Sequence, residues 1–172
     1  MDILIRCETV SDFDSITQVN DIAFGGKSES ELISKLRKIK DFMHGFSIIA
    51  EFDENIIGHI LFYPINIETK TGLIPTIALA PMSVLPEYQN KGVGTKLVQY
   101  GLQKCKERGF ESVIVLGHAN YYLKFGFEPA SKWGIYSDFD VPDEVFMTME
   151  LKEDALAKVA GKVIYPKEYL EA

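Results

Sequence analysis

The sequence predicts one mixed α/β domain, and three observations carry the prediction. Apolar runs of strand length bounded by turn residues recur at 46–52, 56–67, 77–85 and 112–117. Stretches with apolar positions at helical spacing cover 13–24, 28–40 and 93–105. No repeat, linker or low-complexity tract divides the 172 residues, a length that suits a single domain over 1–172 with a full core. Strands interspersed with helices imply a mixed sheet flanked by helices.

In chain order, Ile3 to Arg6 alternates weakly and reads as a first strand. Ser11 and Asp12 offer a cap for a helix through Phe13, Ile16, Val19 and Phe24, ended by Gly25 and Gly26. Ser28 and Glu31 have capping-box spacing and open a second helix to about Lys40. The runs 46–52 and 56–67 flank Asp53-Glu54-Asn55, a hairpin signal, and Gly58 marks a bulge or close packing. Ile77 to Leu85 reads as a central strand ended by Pro86. From Val93 the positions Val93, Leu97, Val98, Gly101, Leu102 and Cys105 form a helix stripe, and Gly109 supplies its cap. Ser112 to Gly117 is a buried strand, and Ala119 to Phe125 a short helical piece ended by Gly126. Weak strands lead to Trp133–Tyr136, a late strand spans Val145 to Leu151, and Val163–Tyr165 precedes Pro166 as a last strand.

Apolar residues make up 47% and charged residues 25%, an ordinary globular balance. The opening residues lack the basic start and apolar core of a signal peptide, and no run reaches membrane-span length. Cys7 and Cys105 lie far apart, and His44, His59 and His118 have no metal spacing, so a reduced, cytoplasmic, metal-free protein is expected. The net charge of −7 argues against nucleic acid as a partner. Lys91, Lys96, Lys104, Lys106 and Arg108 against Glu107 leave 91–108 at +4, so the remainder carries −11. That imbalance suits an anionic cofactor combined with a cationic substrate.

The segment Gln89-Asn90-Lys91-Gly92-Val93-Gly94 lies between the central strand and its helix. Glycines at a helix start admit a ligand to the backbone. The unpaired first-turn N–H groups carry the positive end of the helix dipole, which makes an anion site. Two familiar phosphate loops do not fit. The order Gly94-Thr95-Lys96 is wrong for a nucleotide-triphosphate loop, and Leu97 stands where a dinucleotide fingerprint needs its third glycine. What remains, Gln-x-x-Gly-x-Gly after an apolar strand, resembles the acetyl-coenzyme A loop of the GNAT superfamily of N-acetyltransferases. A second element, Tyr121-Tyr122-Leu123-Lys124-Phe125-Gly126-Phe127, resembles that superfamily's short helix after the fifth strand. Trp133-Gly134-Ile135 and Phe146–Leu151 extend the likeness over 77–151.

The resemblance implies the GNAT acyl-coenzyme A N-acyltransferase fold, a mixed, mainly antiparallel sheet with a splayed parallel strand pair. It implies acetyl-coenzyme A as co-substrate. It carries the oxyanion donor to the Met82 N–H, pairing with pantetheine to Ser83 and Val84, and the pyrophosphate to Gln89, Asn90, Lys91, Gly92, Val93, Gly94 and Thr95. It makes Tyr122 the acid that protonates the leaving thiolate. The superfamily often places a glutamate base eleven residues before the loop glutamine; Ala78 stands there. Histidine as a residue type titrates near neutral pH, so His118 is the side chain suited to replace it, and Glu51 is a weaker candidate.

The expected activity is acetyl transfer to a primary amine by direct attack, without a covalent enzyme intermediate. The acceptor is a small-molecule or peptide amine, with no membrane partner, and a homodimer is one assembly open to the chain. The acidic turn at Asp138, Asp140, Asp143 and Glu144, with Trp133 and Tyr136, could receive a cationic acceptor. The alternative is a non-catalytic acyl-coenzyme A-binding or sensing domain. Ala78 favours it and Tyr122 opposes it.

Overall fold

The computed structural model describes residues 1–171. Its strands are β1 (Leu4–Cys7), β2 (Ser47–Phe52), β3 (Asn55–Thr69), β4 (Gly72–Val84), β5 (Ser112–Leu116), β6 (Glu128–Pro129), β7 (Ile135–Tyr136), β8 (Phe146–Glu150) and β9 (Gly161–Ile164). Its helices are α1 (Phe13–Phe24), α2 (Ser28–Arg37), α3 (Val93–Glu107), α4 (Ala119–Tyr122) and α5 (Lys167–Leu170). Two compact units are built from these. One comprises Met1–Tyr63, Ala80–Gln103 and the residues from Lys167 on; the other comprises Pro64–Leu79 and Lys104–Pro166. Strands β3 and β4 and helix α3 each run from one into the other.

In the first unit β1 pairs antiparallel with β2 and β2 with β3, and β4 follows β3 in strand order. Asp53 and Glu54 close the β2–β3 hairpin at φ of 51° and 62°, the left-handed geometry that matches strand twist in a two-residue turn. Side chains alternate across β3. His59 and Tyr63 face Asn20 of α1 and Tyr169 of α5. Phe62, on the opposite face, fills the space that a Cβ at Gly101 of α3 would need. Gly58 lies on that same face. A Cβ there would come within 3.1 Å of Leu97 and 3.2 Å of Val93, so the expected close packing is the start of α3 against β3. The pairing register also shifts beside it, between Ala50 and Glu51.

Two expectations about α2 are corrected. Lys27 is its N-cap, so Ser28 already lies inside the helix and the box with Glu31 does not form; Ser30 instead donates to Asp21 at 2.5 Å. The helix ends at Arg37 because the chain tightens there, with the N–H groups of Lys38 and Ile39 bonding three residues back. A reciprocal cap forms one element earlier. The Thr9 N–H donates to Asp12 Oδ2 at 2.7 Å, and the Arg6 guanidinium bonds both Asp12 oxygens.

In the second unit β4 pairs with β5 in parallel over only three residues, Ile77 to Leu79 against Val113 to Val115. Strand β8 lies antiparallel between β5 and β6. Strand β9 pairs antiparallel with β3 and, briefly and in parallel, with β7. Val113, Ile114 and Val115 are buried on both faces, which is why β5 reads as an unbroken apolar run. Strand β4 starts at Gly72, earlier than its apolar pattern, which begins at Ile77. The two-residue strands β6 and β7 are too short to show a period.

A buried polar chain crosses the first unit. The Glu8 carboxylate receives Arg37 at 2.7 Å, His44 Nδ1 at 2.8 Å and the Ser47 hydroxyl. Ser47 Oγ lies 2.9 Å from His59 Nε2, and Asn20 Nδ2 lies 3.4 Å from His59 Nδ1. Ser47 donates to the carboxylate, so its oxygen accepts from His59 Nε2–H, which leaves Nδ1 to accept from Asn20. Burial, and secondarily the Arg37 charge, lowers the His59 pKa to about 3. The folded chain therefore keeps His59 neutral where the unfolded chain, near pH 6.5, begins to take up a proton. Above pH 6.5 this group is silent. Between pH 6.5 and about 3 it removes stability as pH falls, by up to about 1.4 kcal/mol per pH unit. Urea denaturation from pH 7 to pH 4 should show a shallower acid loss in His59→Gln than in the parent protein; parallel curves would contradict the assignment.

Candidate functional site

The strand-end and loop residues singled out from the sequence lie together in the first unit. The Leu85 N–H donates to the Ile57 carbonyl of β3 at 2.9 Å. Backbone groups alternate sides along a strand, so those of Val84 and Met82 point to the edge of β4 away from β3. Ser83 lies between them, 4% exposed, and its hydroxyl has no hydrogen-bond partner among the described residues. Pairing with β5 stops at Leu79. The free edge therefore offers the N–H groups of Met82 and Val84.

After Val84 the chain makes one tight turn at Pro86–Tyr88, in which the Tyr88 N–H bonds Leu85 at 2.9 Å. Two left-handed residues follow, Asn90 at φ 60° and Gly92 at φ 85°. Asparagine tolerates that region and glycine is at home in it, which accounts for both residue types. A Cβ at Gly92 would meet no protein atom within 4 Å, so it is the backbone angle that requires glycine. Helix α3 then begins on the buried anchor Val93, with the Lys96 N–H reaching the Gly92 carbonyl at 3.1 Å. The first-turn N–H groups of such a helix find no acceptor within it. Lys91 is exposed at the loop tip, its ammonium 5.9 Å from the Tyr88 ring centre.

Tyr122 and His118 belong to the second unit, on the turn that follows β5. His118 caps α4: its carbonyl accepts the N–H groups of Tyr121 and Tyr122 at 3.1 Å, and its exposed ring has no hydrogen-bond partner among the described residues. The Tyr122 ring is 7% exposed and packs at 5.0 Å from Tyr121 and 5.7 Å from Phe127. Burial, with Tyr121 close by, pushes its phenol well above the usual value near 10. The hydroxyl keeps its proton at neutral pH and has no hydrogen-bond partner among the described residues.

Glu51 is tied to Arg6 at 3.0 Å, which makes it an ion-pair partner more than a free base. In the acidic turn, Asp138 pairs with Lys162 at 3.1 Å and Asp143 accepts from Ser131 at 2.8 Å. A cleft of about 500 Å³ in the first unit is lined by Glu51, by Ser15 and Gln18 of α1, by Asn55 of the hairpin, and by Glu87 and Tyr88 of the turn after β4.

Residues 14–127 match the model of the acetyltransferase (GNAT) family. An uncharacterized N-acetyltransferase of Escherichia coli K12, YjhQ, is 35% identical over 135 residues, covering 78% of this chain and 75% of that protein. The crystal structure of the E. coli GNAT family N-acetyltransferase YhbS in complex with coenzyme A superposes with a TM-score of 0.88 at 28% identity. It spans 98% of this chain and 92% of that one. A Brucella melitensis GNAT acetyltransferase in complex with acetyl-coenzyme A gives 0.79 at 29% identity, over 98% of both chains.

Gly117 has no marked role in the sequence pattern, yet the position of Tyr122 depends on it. A Cβ there would come within 2.5 Å of the Tyr122 ring. Gly117→Ala should therefore displace that ring at an overpacking cost of about 1–3 kcal/mol. Urea denaturation, read beside near-ultraviolet tyrosine signals, checks this; a change under about 0.5 kcal/mol, the size of an ordinary surface substitution, would mean that the contact does not constrain the ring.

Proposed function

Because the chain belongs to the GNAT acetyltransferase family, we propose that it transfers the acetyl group of acetyl-coenzyme A to a primary amine by direct attack. One observation carries the reading. A strand edge offering backbone donors at Met82 and Val84 runs directly into a loop with left-handed Asn90 and Gly92 that opens α3. That donor set fits coenzyme A, an extended amide-bearing arm joined to a pyrophosphate. The arm asks for strand-like backbone partners, and the pyrophosphate for N–H groups at a helix start.

The coenzyme supplies an activated thioester; the roles of the chain are to bind, polarise and move protons. The Met82 N–H donates to the acetyl carbonyl oxygen as negative charge grows on it, an oxyanion-type contact. Val84, beside Ser83, pairs with the pantetheine arm. Backbone N–H groups from Asn90 to Thr95, with Lys91 at the tip, hold the pyrophosphate; the Gln89 N–H is directed at the Pro86 carbonyl, 3.3 Å away. As the amine nitrogen bonds to carbon, the carbon–sulfur bond breaks and the electron pair leaves on sulfur. Tyr122 donates its hydroxyl to that sulfur. Its raised pKa makes complete transfer to a thiolate of pKa about 8.5 uphill, so the hydroxyl acts first as a hydrogen-bond donor. His118, with no partner on its ring, takes the proton released by the amine.

Ala78, at the place of the common glutamate base, favours a second reading in which the chain binds acyl-coenzyme A without turnover. Release of free thiol with a panel of amines decides between the two. No release above the uncatalysed rate with any amine, in protein that binds the coenzyme, supports the second. For an enzyme, Tyr122→Phe keeps the ring packing and deletes one donor. Turnover should fall by roughly 10²–10⁴-fold, with affinity for the coenzyme changed less than about threefold. A fall in turnover below about threefold would make Tyr122 a packing residue.

A further inference from the structure

The Gln89 side chain does not point along the loop. Its Nε2 donates to the Val84 carbonyl at 3.0 Å, five residues back along the chain. From this contact we infer that Gln89 is a positioning residue that fastens the phosphate-binding loop to the end of β4 and is not itself a phosphate ligand. The inference rests on the coenzyme-binding reading above and deepens it.

The contact joins two pieces that are otherwise set separately. The end of β4 is fixed by the Leu85 N–H on Ile57 at 2.9 Å. The start of α3 is fixed by Val93 and Leu97 packing over Gly58. Between them lie Gln89, Asn90, Lys91 and Gly92, all exposed, with two residues at positive φ. The Gln89 N–H makes only a long bond of 3.3 Å to Pro86, so its side chain adds a second, better bond at this point. Occupying the Val84 carbonyl also leaves the Val84 N–H as that residue's free group on the strand edge. A ligand that spans strand edge and loop gains from having the two held in register before it arrives. A ligand that touches only the loop does not.

The experiment follows from that difference. Gln89→Leu removes the donor, Gln89→Glu replaces it by an acceptor, and Gln89→Arg restores a donor. Each is titrated calorimetrically with coenzyme A and with adenosine 3′-phosphate 5′-diphosphate, which has the pyrophosphate but no pantetheine arm. Coenzyme A affinity should fall about three- to tenfold in Gln89→Leu, the worth of one hydrogen bond, and further in Gln89→Glu. The arm-less nucleotide should change less than about twofold in Gln89→Leu, and Gln89→Arg should recover coenzyme A binding. In turnover assays the loss should appear in the acetyl-coenzyme A KM and not in kcat.

Equal losses for both ligands in Gln89→Leu would make the side chain a phosphate ligand and overturn the proposal. So would unchanged coenzyme A binding. Melting temperatures of all three variants are read in parallel; if both Gln89→Leu and Gln89→Glu fail to fold, Gln89 is a folding residue and the proposal fails. If the parent protein itself binds no coenzyme A, it is the functional reading that falls.

Discussion

Helix α3 can start where it does because residue 58 is glycine. The Val93 and Leu97 side chains sit at 3.1–3.2 Å from where a side chain at Gly58 would begin, so they rest directly on the β3 backbone. The next strand, β4, is held to β3 by the Leu85–Ile57 bond. The separation of the end of β4 from the first turn of α3 is therefore set by a backbone hydrogen bond on one side and by close side-chain packing on a bare backbone on the other. The loop that bridges them inherits a fixed span. Its two left-handed residues are the means by which so few residues make that reversal.

Much of this was legible in the sequence, and the reason is local. A strand, a turn residue at each special φ and a helix stripe leave marks within twenty residues, so the loop from Gln89 to Thr95 could be read from its own letters. The cap expected at Ser28 fails for an equally local reason, because the helix already includes Ser28 and its N-cap is Lys27. The direction of the Gln89 side chain had no such mark. Glutamine can serve a ligand or a backbone carbonyl equally well, and only the position of Val84 decides between them.

Contacts assembled from distant segments were not legible. Glu8, Asn20, Arg37, His44, Ser47 and His59 are scattered over four helices and strands and the turns between them, and each has an ordinary reading alone. His44 and His59 look like stray histidines; in the fold one is a half-exposed partner of a buried carboxylate and the other is sealed in the core. Gly117 is similar. Its need for a missing side chain comes from Tyr122, five residues on, and appears only once the turn folds the ring back over it.

The short parallel pairing of β4 has a cost outside ligand binding. A strand edge that stops pairing at Leu79 yet stays extended to Val84 could add a strand from another molecule, but the Ala80 carbonyl already accepts from the Tyr169 hydroxyl at 2.9 Å and the Val84 carbonyl from Gln89 Nε2 at 3.0 Å. The five residues involved are also too few to hold an intruding strand in register. The exposed Lys91 at the loop tip adds a charge near its end. The edge thus keeps its Met82 and Val84 N–H groups for a ligand while two of its carbonyls are held within the chain, and substitutions at Tyr169 or Gln89 would be judged first by solubility.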